Sequence, residues 1–297
     1  MSPYARSVLY EVLASPPLRE PALIAGIEGW VDAAGAGSGC AAHIAETGHV
    51  VVSFEMDQLL DYRARRPVLD VLDGRLTKMT WPSLQIRHVA TPRRDLLVMT
   101  GPEPDMRWRE LLRSVGEIAE RFGVTASVCL GAIGAAVPHT RPTRVLATAS
   151  RPDLVGPDDT LPGGILRVPA AALNLVEMRT AELGIPSVGF WAQVPHYVAG
   201  PYAPATIALL ERLNRHLGTD IAPGSLLEAA ATQRAEIDAA VAAREESRQY
   251  VARLEQLADD SGVPSGEDIA AEVERFLREA GGGAQAGGGG STPLPGS

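Results

Sequence analysis

From Ala22 to Leu217, short apolar runs alternate with segments whose apolar residues recur every three or four positions, and this alternation constrains the fold more than any other feature. Ala22 to Ile27, Val50 to Phe54, Leu84 to Val89, Leu96 to Thr100, Ala126 to Leu130, Arg144 to Ala149 and Ser187 to Trp191 have the length and side chains of strands. Between them, Ala33 to Glu46, Met106 to Phe122, Pro169 to Leu183 and Pro204 to Leu217 carry helical spacing, as in Leu111, Val115, Ile118 and Phe122. Strands alternating with helices predict an α/β fold, a three-layer α/β/α domain with a mostly parallel sheet covered on both faces.

Charge marks where this domain ends. Of the 27 basic and 36 acidic residues, 21 and 23 lie at or before Gly224, against 6 and 13 in residues 225 to 280. The expected organisation is therefore an α/β/α domain over 1–223, an acidic helical hairpin over 224–280 and a flexible Gly-rich tail over 281–297. The first helix of the hairpin runs from Ser225 to about Leu257, with Leu226, Ile237, Val241, Val251 and Leu254 along one broken apolar stripe. Asp259 to Pro264 breaks it, and Ser265-Gly266-Glu267-Asp268 has the pattern of a capping box that opens a second helix carrying Ile269, Val273, Phe276 and Leu277. Such a stripe must be covered, by its own domain or by a second subunit, and these nine residues are the candidate interface.

A formal net charge of −9, with no basic run longer than Arg63 to Arg66, argues against a nucleic-acid partner, because phosphate tracking needs clustered cations. The longest uncharged apolar stretch, Val124 to Val137, is too short and too rich in Gly, Ser and Thr to span a bilayer, and the first residues lack an apolar leader. Cys40 and Cys129 make neither a disulfide framework nor a zinc site, so a cytoplasmic location is expected, without a membrane partner. His43 and His49 stand six apart and His139 and His196 are isolated, so no local metal site and no cofactor is expected.

Gly26 to Gly39 reads as a strand followed by a glycine-rich entry into a helix. A dinucleotide fingerprint fails because Cys40 stands where the third glycine belongs, and no Gly-Lys-Ser/Thr follows for a phosphate loop. The simpler reading is that Asp32 caps the helix and that the small residues allow close helix-to-sheet packing. A second glycine-rich turn, Gly131-Ala132-Ile133-Gly134, follows a strand end, where open α/β sheets place their ligand crevice. If Glu28, Trp30 and Asp32 converge with His196 and Tyr197, they form a small-ligand or nucleoside cleft. A histidine beside proline otherwise donates to a backbone carbonyl. No Gly-x-Ser-x-Gly elbow is present and Cys40 reads as helix core, so no catalytic residue is assigned.

Three blocks in order, Leu23 to Ala33, Phe54 to Arg63 and Ser187 to Val198, resemble the bacterial branch of the proteasome assembly chaperone family, and Val263 to Glu279 resembles the extra helices of its bacterial members. The resemblance implies an α/β/α fold similar to that of purine nucleoside phosphorylases, homo-oligomers with a homotrimer expected, proteasome core α-subunits as partners, and no catalytic set. Family members that dock on the proteasome end in a hydrophobic-Tyr-x tail, whereas this sequence ends Leu294-Pro295-Gly296-Ser297, so docking by that route is not expected. The alternative is a small-ligand-binding protein or enzyme using the phosphorylase-like cleft.

Overall fold

The computed structural model describes residues 9–156 and 165–260. Its main sheet contains β1 (Tyr10–Val12), β2 (Ala22–Ala25), β3 (His49–Phe54), β6 (Gln85–Ala90), β7 (Asp95–Thr100), β8 (Ala126–Ala135), β9 (Val145–Ala149) and β10 (Ser187–Pro195), and β4 (Val68–Leu72) and β5 (Arg75–Thr80) form a separate hairpin. The sheet order is β1-β3-β6-β7-β2-β8-β10-β9. β7, β2, β8 and β10 pair in parallel at the centre, and antiparallel pairings extend the sheet at both ends. Five of the eight strands, β3, β7, β2, β8 and β10, point the same way, as the alternation of elements predicts.

Each central strand is mostly apolar because each is covered twice. On one face α1 (Ala36–Ala45) and α4 (Ala203–Leu217) bury Cys40, Ile44, Leu209 and Leu213 against Val128, Leu130 and Phe190. On the other, α2 (Trp108–Arg121) and α3 (Ala172–Glu182) bury Leu111, Val115, Ile118 and Val176 against Leu23, Cys129 and Trp191. Neighbouring residues of β8 therefore serve opposite cores, which the alternation of Cβ directions along a strand requires.

Two departures from the expected elements stand out. The alternation assigns nothing to residues 55–83, where the structure places the β4–β5 hairpin. Its turn, Asp73-Gly74, takes positive φ at both residues, the geometry that joins two strands through two residues. Every residue of both strands is exposed, including Val68, Leu69, Val71, Leu72, Leu76 and Met79. The second departure corrects the single helix from Ser225 to Leu257. It is two helices, α5 (Leu226–Ala242) and α6 (Glu245–Asp260), joined at Ala243-Arg244. A straight rod would carry the second half of the stripe away from the body, whereas the turn lets Val251 and Leu254 bury. Arg248 secures it, reaching the Ala242 carbonyl at the end of α5 and pairing with Glu245. The helix expected to carry Ile269, Val273, Phe276 and Leu277 lies outside the described residues, as does the Gly-rich tail.

Candidate functional site

β2 ends at Ala25, and the chain reaches α1 through a 3-10 turn at Ala33–Gly35. Asp32 does cap the helix. Its Oδ1 accepts from the amides of Gly37 (2.8 Å) and Ser38 (3.1 Å), and its Oδ2 accepts from the Ser38 hydroxyl (2.5 Å). The first-turn amides that a phosphate would need are thus taken by a carboxylate of the chain itself. The glycines serve packing, as expected: a Cβ on Gly26 would stand 2.6 Å from the Ala41 Cβ, and one on Gly37 would stand 2.5 Å from the Leu130 carbonyl oxygen. Gly131 likewise admits the Trp191 ring, whereas Gly134 faces open space.

The chain leaves β2 over one face of the sheet through α1 and leaves the adjacent parallel strand β7 over the other through α2. Such a divergence opens a crevice at the carboxyl ends of the two strands. A cleft of about 1010 Å³ lies there, lined by Glu28, Trp30, Asp32, Arg65, Asp105 and Trp108 among others. Glu103, which the sequence reading missed, organises its wall: Oε2 accepts from the Trp30 amide (2.9 Å) and Oε1 from the Ala172 amide at the start of α3 (2.6 Å). Asp105 Oδ2 accepts from the Asp61 amide (2.7 Å), and the Trp108 indole donates to the Pro104 carbonyl (2.6 Å). Arg65 approaches Glu28 at 3.6 Å.

His196 and Tyr197 do not join this cleft. The His196 Nδ1 meets the Ala135 carbonyl at 3.2 Å, the backbone contact expected of it, and its Nε2 meets the Tyr250 hydroxyl at 3.0 Å. The Tyr197 hydroxyl accepts from the His139 amide (2.8 Å) and meets His139 Nδ1 (2.7 Å), while His139 Nε2 faces Asp238 Oδ1 on α5 (3.0 Å). One tautomer fits all three contacts, with Nε2–H donating to Asp238 and Nδ1 accepting from Tyr197. Arg234 completes the ring, donating to Asp238 Oδ2 (2.9 Å) and to the His139 carbonyl (3.0 Å). Further along, Arg141 pairs with Asp259 of α6 at 2.7 Å. Burial pushes the Tyr197 hydroxyl up to about 12.

These contacts clasp the two C-terminal helices to the body, over a groove of about 870 Å³ lined by Tyr197, Tyr202, Ile237, Val241, Tyr250 and Val251. Of the candidate interface residues, Val251 and Leu254 are buried inside the chain, and Leu226, Ile237 and Val241 are half-buried. Gly131 to Gly134 are not a turn beyond a strand end: β8 runs on to Ala135 and pairs with β10 through them, and neither Gly131 nor Gly134 lines the cleft or the groove.

The clasp is expected to be acid-sensitive in a defined direction. Partial burial opposes ionisation of Asp238, but hydrogen bonds from Arg234 and His139 outweigh it and hold the carboxyl below its usual value. A depressed folded-state pKa contributes stability that is present above the unfolded value, about 3.9, and is lost as pH falls through the folded one. Amide protection in α5 is expected to drop below about pH 4 in the wild type. In Asp238→Asn it is expected to be lower at neutral pH and flatter across the acid range. Hydrogen exchange at stepped pH measures both, and identical profiles would contradict the assignment.

Both thiols are fully buried, which pushes their pKa far above the ordinary range, so neither is poised as a nucleophile. Among the described residues no three His, Cys, Asp or Glu side chains are grouped to hold a metal, and no helix is long and apolar enough to cross a membrane.

The PAC2 family model matches residues 26–241. The chain belongs to the PAC2 family. The match takes in β3 to β10, the residues lining the cleft and nearly all of α5, so the cleft and the contacts among His139, Tyr197, Arg234 and Asp238 fall within it, while β1, β2 and α6 lie outside. This PAC2 protein is 35% identical to the Mycobacterium tuberculosis unknown function protein Rv2714, over 86% of this chain and 92% of that one, with a TM-score of 0.80. It is 33% identical to the M. tuberculosis proteasome-assembly chaperone homologue Rv2125, over 77% and 99% of the two chains, at TM-score 0.71. Pyrococcus furiosus PbaB, an archaeal proteasome activator, shares the fold at 17% identity, over 78% and 97%, with TM-score 0.60. No curated protein matches.

Proposed function

We propose that this PAC2 protein is a non-enzymatic assembly chaperone or scaffold that works through protein surfaces as a closed homo-oligomer, taken as a trimer, with proteasome core α-subunits as its client. The observation that carries the reading is family membership over residues 26–241, together with 33% identity to a proteasome-assembly chaperone homologue. The two buried, unpaired cysteines fit work in a reducing cytoplasm.

The β4–β5 hairpin supports the oligomeric part. Two strands alone are marginally stable in water, and this pair exposes apolar side chains on a projection that the described residues of its own body do not cover. A second copy would bury them. Co-elution with α-subunits, with mass read by light scattering, tests client and copy number together.

One observation favours a second reading, a small-ligand-binding protein or enzyme: the cleft sits where α/β sheets bind ligands, at the carboxyl ends of β2 and β7.

A further inference from the structure

We propose that the cleft at the ends of β2 and β7 binds a small organic cation, an alkylammonium or guanidinium compound, and rejects nucleotides and other anions. The inference rests on the small-ligand reading of this cleft and names its chemistry.

Among the described residues, four carboxylates line the cleft, those of Glu28, Asp32, Glu103 and Asp105, against one guanidinium, that of Arg65. A concave wall carrying one sign of charge concentrates the opposite sign, so the field inside attracts cations and repels phosphate esters. The feature that would offset this, the amino end of α1, is already engaged: Asp32 accepts from the amides of Gly37 and Ser38 and occupies the place of an incoming anion. Glu103 is held by the amides of Trp30 and Ala172, and Asp105 by that of Asp61, so their charges are fixed at the wall. Glu28 differs. Its carboxylate is 65% exposed and its approach to Arg65, at 3.6 Å, is longer than a hydrogen bond, so it can turn to an incoming donor at little cost.

The cleft also carries two indoles. Trp30 is 45% exposed, and Trp108 is half-buried with its ring anchored through Nε1–H to Pro104. Indole faces attract ammonium and guanidinium groups. Carboxylates supply charge-assisted acceptors for N–H donors, and indoles supply apolar area with a negative face; a ligand needing both is an organic cation rather than a bare metal ion. The volume, about 1010 Å³, is in the range of small-molecule sites.

The test is titration of the full chain by calorimetry and thermal shift with agmatine and spermidine, and in parallel with magnesium chloride, adenosine and AMP. Agmatine or spermidine is expected to bind and raise Tm, while the other three leave it unchanged, and binding should weaken between 50 mM and 500 mM salt, values of about the range where screening tightens. Glu28→Gln should weaken the bound cation about tenfold and Trp30→Ala about fivefold. Both positions are exposed, and unliganded melting curves verify that the variants fold. Adenosine or AMP binding without the amines overturns the inference and leaves the small-ligand reading standing. No response to any compound overturns both. Amine binding unchanged in both variants, or a magnesium response lost in the same variants, also overturns the assignment.

Discussion

Val71→Ser combined with Leu76→Ser is expected to turn the proposed oligomer into a monomer near 31.3 kDa at micromolar concentration. The two residues face each other across β4 and β5, and are 59% and 73% exposed. Substituting them removes no contact with the core, so the monomer should stay folded. If a second copy covers this face, each position loses buried apolar area at the centre of a contact, and two such losses of about 2 kcal/mol weaken association about a thousandfold. Light scattering on the eluting peak decides it. An unchanged mass in the double variant would place the interface elsewhere, and a wild type that elutes as a monomer would remove the oligomeric part of the proposal.

Gly37→Ala is expected to be strongly damaging. The added Cβ would meet the Leu130 carbonyl oxygen at 2.5 Å, the Gly131 Cα at 2.8 Å and the Leu130 carbonyl carbon at 2.9 Å, all backbone atoms that cannot rotate aside. α1 would have to lift from β8, opening the core around Cys40 and Ile44. Overpacking of this kind costs about 3 kcal/mol, equivalent to a fall in Tm of roughly 6–12 °C for a domain of this size. Gly134→Ala is the control, because nothing lies within 4 Å of its added Cβ, and its Tm should stay within about 2 °C of wild type. If the two variants melt together, close packing of α1 on the sheet does not explain the glycine-rich entry.

The core of this fold was readable because burial on both faces writes unbroken apolar runs: Ala22 to Ala25 and Leu96 to Met99 are buried at every residue. The β4–β5 hairpin faces no core and leaves no periodic signal, although its Asp73-Gly74 turn was visible as a dipeptide. α5 and α6 merged into one helix in the sequence because Ala243-Arg244 is an ordinary helical pair, and the turn between them is set by what Val251 and Leu254 pack on. In the cleft, Glu28, Trp30 and Asp32 were found together because a strand end holds them within five residues. Their grouping with His196 and Tyr197 fails for a geometric reason: β10 lies two strands from β2, about 10 Å away, with β8 between. The clasp was invisible, since His139 meets Tyr197 across 58 residues and Asp238 across 99. Glu103 sits between two prolines and gave no signal beyond a loop, yet its carboxylate ties the cleft wall to α3.

The measurement that bears most directly on the central claim is co-elution of the purified protein with proteasome α-subunits and half-assembled cores of the same organism, with absolute mass read on every peak. The account predicts a stoichiometric complex of the oligomer with α-subunits or precursors, and none with finished particles. A protein that elutes alone in the presence of every proteasome species would contradict it.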